Sequence, residues 1–250
     1  MPKFFYGILF LVLLLILLYT FTNPDKKENN NTETPYDTEQ STEETTTKKE
    51  YPIIVLDAGH GGFDPGKVGV NGALEKDINL LIVKKLQTLL EEKGFTVFLT
   101  REKDSLLAPS NSSSKKKDDM IARIDKITEV NPFFTISIHQ NSFTDPASNG
   151  PQTFYYKDSE ESATMAQVIQ DVLNTQLAPV KKRAPQANAN YYLLTRTPTP
   201  TVIVECGFLS NPTEADLLTQ DDYQSRIAHS IFLGILSYYE ATTSNQTPSE

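Results

Sequence analysis

The sequence predicts a layered α/β domain, a largely parallel central sheet flanked by helices, behind an N-terminal transmembrane helix. Three observations carry this. Short, continuously apolar runs alternate with amphipathic stretches, and unbroken hydrophobicity marks strands covered on both faces. Histidine or acidic residues lie at or just beyond the ends of these runs, where parallel sheets bind ligands. The first 22 residues form one apolar segment, set apart from the rest by a polar stretch.

Phe4 to Leu18 read FFYGILFLVLLLILL, and Tyr19 to Phe21 add little polarity. Such a helix spans roughly 27 Å, close to the hydrocarbon thickness of a bilayer. Lys3 and the amino terminus precede it, so the positive-inside rule puts the N-terminus in the cytoplasm and the body outside. A cleavable signal peptide is the alternative, but its apolar core would be shorter and end in small residues. Residues 23–50 contain almost no aliphatic side chain and read as a disordered acidic linker. Residues 51–240 are then the folded domain and 241–250 a disordered tail.

Within the domain, Ile53–Asp57 is the first strand and opens onto the turn AGHGGFDPG. Glu75–Lys93 is a helix with apolar residues at helical spacing, stopped by Gly94. Thr96–Thr100 is the second strand, 103–117 an exposed loop and Asp118–Val130 a helix. Phe133–His139 and Thr153–Tyr156 are strands, Glu160–Thr175 a helix, Val202–Glu205 a strand and Tyr223–Tyr239 the last helix.

Composition narrows the function. The 250 residues carry a formal net charge of −9, with no basic stripe, so the chain is not a nucleic-acid binder. The single cysteine, Cys206, allows no intramolecular disulfide and reads as a small buried hydrophobe. His229, among apolar residues of the last helix, reads as packing. Arg101 and Arg123 would meet a substrate carboxylate or form structural pairs, and Asn141 would orient the His139 loop or form a turn.

His60 and His139 stand at the ends of converging strands. Zinc takes nitrogen and oxygen donors and, in catalytic sites, three protein ligands. Glu75 is a candidate third ligand; equally, a glutamate in a first helical turn simply favours the helix dipole. Glu205 ends an apolar run, where a carboxylate is costly unless paired or functional. As a general base it would take a proton from a water and pass it to a leaving nitrogen.

The stretches IIVLDAGHGGFDPG, LEKDINL, TISIHQNSF and VIVECGFLSNPTEADLL, in this order, resemble the zinc-dependent N-acetylmuramoyl-L-alanine amidases. The similarity runs from about Tyr51 to Tyr239. It implies cleavage of the amide between N-acetylmuramic acid and L-alanine in peptidoglycan. It also implies one zinc ion held by His60, Glu75 and His139, with Glu205 as catalytic carboxylate. The anchor and the stretches DSLLAPSNSSSKKKDDM and IARIDKI are similar to those of the spore-cortex amidases of endospore formers. That implies a role in muramic-lactam formation beside a partner deacetylase or an activating protein, in the cell envelope or outer forespore compartment. Ala58, where proline is common, and Ser142, where alanine is common, depart from the pattern without touching a ligand. The alternatives are a cell-separation amidase, a zinc carboxypeptidase acting on stem peptides, or an inactive wall-binding protein. In a carboxypeptidase the first histidine and glutamate would form His-x-x-Glu, whereas His60 and Glu75 are fifteen residues apart.

Overall fold

Four apolar strands lie side by side and parallel at the centre of the domain, so their carboxyl ends share one edge. The computed structural model describes residues 50–244. The strands are β1 (Ile53–Ala58), β2 (Thr96–Leu99), β3 (Phe134–Asn141), β4 (Gln152–Tyr156), β5 (Gln186–Asn188) and β6 (Thr201–Phe208). They form one sheet in the order β2-β1-β3-β6-β4-β5. β2, β1, β3 and β6 are mutually parallel; β4 runs antiparallel to β6, and β5 parallel to β4. Helices α1 (Glu75–Lys93), α2 (Lys115–Val130), α3 (Glu160–Gln176), α4 (Tyr192–Arg196), α5 (Pro212–Leu218) and α6 (Asp221–Ser244) complete the domain.

Strand alternation sorts side chains onto two faces. Ile54, Leu56, Phe134, Ile136, Ile138, Val202, Val204 and Cys206 join the large core formed with α1, α3 and α6. Each fully buried Leu or Ile there contributes about 1.5–3 kcal/mol relative to exposure. The opposite face is covered more thinly: Val55 and Ile203 pack with Ile127 of α2 and with Leu193 and Leu194 of α4. On this second face the strand residues turn polar toward the carboxyl edge, which places Asp57, His139 and Glu205 there. β1 has β2 on one side and β3 on the other, so the chain switches direction across the sheet at β1, leaving a crevice at the carboxyl ends.

Several expectations need correction. Residues 115–117 belong to α2, which starts directly after Ser114, rather than to a loop. α4, α5 and β5 are additional elements, all too short to show a period. α6 begins at Asp221 and continues to Ser244, so residues 241–244 are helical instead of tail. His229 is exposed, because it lies on the outer side of α6 while Ile227, Ala228, Ser230 and Ile231 face inward. The expected transmembrane helix and all of the expected linker but Glu50 lie outside the described residues. Among the described residues no helix is long and apolar enough to cross a membrane.

Candidate metal centre

β1 delivers its chain end into Gly59-His60-Gly61-Gly62. His60 has φ 61°, a left-handed conformation uncommon for a non-glycine residue. Backbone bonds between Gly61 and Asp64 close the turn, and Arg123 Nη2 donates to the His60 carbonyl at 2.6 Å. His60 Nδ1 donates to Asp64 Oδ2 at 2.8 Å, which fixes the tautomer and turns Nε2 toward Glu75 Oε1, 3.3 Å away. Burial works against ionisation of Asp64, but bonds from His60, Lys116 and Gly66 outweigh it and hold its carboxyl below the usual range.

Glu75 is the first residue of α1 and is almost wholly buried, because the loop before the helix folds it back over the strand ends. Its Oε2 accepts from the Lys67 amide at 2.7 Å, and its Oε1 accepts from the Gln140 amide at 3.1 Å. The Gln140 amide reaches it because β3 is irregular between His139 and Asn141. His139 Nδ1 lies 3.0 Å from the same Oε1. Burial opposes the charge on Glu75, but the two histidines outweigh it and keep the carboxyl well below its ordinary value. Burial likewise disfavours protonated His139, yet the hydrogen bond and charge of Glu75, helped by Glu205, raise it to about 9.

Ligand donor atoms of His60, Glu75 and His139 all lie within 4.8 Å of one another. Two glycines make the room: a Cβ on Gly59 would overlap the His139 ring, and one on Gly66 would strike Glu75 and His60. Asn79, one turn along α1, donates to the Gly59 carbonyl at 3.1 Å and accepts from Gln140 Nε2 at 3.1 Å.

Glu205 is the register partner of His139 across β3 and β6. Its Oε2 is buried with no hydrogen-bond partner, and burial raises its carboxyl to about 7, with His139 opposing and Glu75 adding to the shift. A buried, unsatisfied carboxylate beside two histidines and a glutamate fits a site that receives a cation and a substrate. The donor set of two imidazoles and one carboxylate suits zinc, whereas magnesium and calcium take oxygen ligands.

Arg123 and Arg101 are buried braces. Arg123 bonds to Asp57 at 2.6 Å, Asp119 at 2.8 Å and the Ala58 carbonyl at 2.7 Å. Arg101 donates to the carbonyls of Ala58, Gly59, Lys76 and Lys103. Asp57 also accepts from Thr100 and Ser137, and its carboxyl sits far below the usual range: burial opposes this, Arg123 outweighs it. Asn141 shapes the turn after β3, its side chain accepting from the Ser142 amide and its carbonyl from Leu209. Cys206 faces the large core, where burial pushes its thiol up and leaves it inert.

Sequence reasoning missed Asp64, Asn79 and Gln140. A carboxylate four residues after a candidate ligand histidine was the available signal for Asp64. Gln140 directly follows His139, but nothing local marks it as a support for Glu75.

Residues 54–237 match the N-acetylmuramoyl-L-alanine amidase family. The germination-specific N-acetylmuramoyl-L-alanine amidase of Bacillus subtilis (strain 168) is 39% identical over 190 residues, 75% of this chain and 79% of that one. The CwlD amidase from Clostridioides difficile, solved in complex with the GerS lipoprotein, is 39% identical with a TM-score of 0.74, over 76% of this chain and 99% of that one. The catalytic domain of CwlV, the amidase from Bacillus (Paenibacillus) polymyxa, gives 30% identity and a TM-score of 0.67, over 75% and 98%. The chain belongs to the N-acetylmuramoyl-L-alanine amidase family.

Proposed function

We propose that the chain hydrolyses the amide between N-acetylmuramic acid and L-alanine with one zinc ion held by His60, Glu75 and His139. The observation that carries the reading is the three-donor cluster with the unpartnered Glu205 carboxylate beside it. When bound, zinc supplies Lewis-acid polarisation of the lactyl carbonyl and a lowered pKa for water. The protein's own residues do the rest. Asp64 and the Glu75 network orient the ligands. Glu205, the carboxylate beside the three ligands, takes a proton from the attacking water and returns it to the departing L-alanine nitrogen.

The proposed setting is the spore cortex, where stem-free muramic acid would feed lactam formation by a partner deacetylase. The germination-specific relative supports this. The CwlD complex supports a lipoprotein partner for this chain too. The N-terminal segment would hold the enzyme on the outer side of a membrane.

Mass spectrometry of purified peptidoglycan treated with the zinc-supplied protein tests the reading. Free stem peptides beginning at L-alanine support it. Peptides shortened from their carboxyl ends would instead indicate a carboxypeptidase.

A further inference from the structure

The candidate ligand cluster lies where two lobes of one cleft meet. His60, Asp64, Lys116, His139, Tyr191 and Glu205 line both lobes. One lobe, about 390 Å³, continues past Met120, Tyr192, Leu193 and Ile203 over the mutually paired Asp57, Asp119 and Arg123, and its exposed lining is mostly apolar. The other, about 360 Å³, continues past Lys67, Gln140, Asn141 and Ser142. Since His60, His139 and Glu205 stand at the junction, a scissile amide bound there lies across it, with its acyl side in one lobe and its amine side in the other.

Charge decides which is which. Arg123 is saturated by Asp57 and Asp119, and Lys76 by Asp104. Two lysines are left: Lys67 lines the polar lobe alone, and Lys116 stands at the junction of the two. Lys67 is exposed, and its ammonium has no ion pair among the described residues. The Lys116 side chain is 66% exposed and touches Asp64 Oδ1 at 2.7 Å, while Asp64 already serves His60 through its other oxygen. An ammonium keeps two further donors after one such contact. The apolar lobe has aromatic rings and aliphatic walls suited to the faces of a sugar.

We propose that the polar lobe is the stem-peptide subsite and that Lys67 and Lys116 select substrates whose stem carries free carboxylates. This rests on the amidase reading above. The muramoyl residue then lies against Tyr192 and Leu193, with Tyr191 at the junction, and its leaving amine points into the polar lobe within reach of Glu205. An exposed ammonium paired with a substrate carboxylate acts through affinity and is weakened by salt.

The test uses the zinc-loaded full chain and two muramoyl peptides, one with free stem carboxylates and one with the same groups converted to primary amides. The wild type should prefer the free acid by about tenfold in kcat/KM, mostly through KM, with the preference shrinking as salt is added. The K67Q/K116Q double variant should bring the ratio close to one while retaining its zinc. Equal use of both peptides by the wild type would overturn the proposal, as would a double variant that keeps the preference. Loss of zinc from K116Q alone would also overturn it, assigning Lys116 to the support of Asp64. If the wild type cuts neither peptide, the amidase reading falls and this assignment with it.

Discussion

His139 and Glu205 are register partners on the adjacent parallel strands β3 and β6, so their side chains leave the same face of the sheet at the same height. This pairing places a candidate metal ligand beside a candidate proton carrier without any help from a loop. Only His60 and Glu75 must be brought to them, the first by a strained turn and the second by the start of a helix.

Gly59→Ala should damage the metal centre more than the fold. The added methyl occupies the space of the His139 ring, so the ring must leave its position near Glu75. Zinc affinity measured by chelator competition should fall at least about tenfold, while the circular dichroism spectrum stays that of the wild type.

Asp64→Ala frees His60 Nδ1 and lets the imidazole change tautomer and rotate. Zinc affinity should fall about 10- to 100-fold, the usual cost of losing a carboxylate behind a metal-binding histidine. Titration of the metal-free variant with zinc checks this, and an unchanged affinity would contradict the orienting role.

Arg123→Met leaves Asp57 and Asp119 buried without their cation. Destabilisation should be about 3–5 kcal/mol by urea unfolding. Adding Asp57→Asn should recover part of that loss, because the uncompensated charge goes with it.

Zinc binding should release a proton. Without metal, Glu75 holds His139 protonated up to about pH 9, whereas a metal ligand must be neutral imidazole. Proton and metal therefore compete at every pH below that value, and apparent zinc affinity should rise by about tenfold per unit across pH 6 to 8 from this group alone. Calorimetry in buffers of different ionisation enthalpy counts the protons. A pH-independent affinity would contradict the coupling.

Much of this architecture is legible in the sequence because long apolar runs and helical periods survive averaging. Ile53–Asp57 and Phe133–His139 stand out as largely unbroken apolar runs, Glu75–Lys93 is long enough to show its helical period, and Gly94, φ 109°, caps that helix as expected. α4 and α5 escape because helices of five and seven residues are too short to show a period, and β5, Gln-Ala-Asn, has no apolar run. For α5 a local clue does exist: Asn211 before Pro212, whose side chain caps the Glu214 amide. The supports of the site are harder to foresee. Asp57 and Arg123 are 66 positions apart and meet only because α2 crosses the second face of the sheet. Lys116 looked like part of a solvated loop, and only the early start of α2 brings it to the cleft.

The most direct test of the account compares the wild type with Glu205→Gln, measuring bound zinc and released stem peptides in the same samples. Glutamine keeps the shape of the side chain but cannot carry a proton between water and a leaving amine. The account predicts one zinc per chain in both proteins and a release rate at least about 100-fold lower in the variant. A variant that retains zinc and cleaves at the wild-type rate would contradict the role given to Glu205.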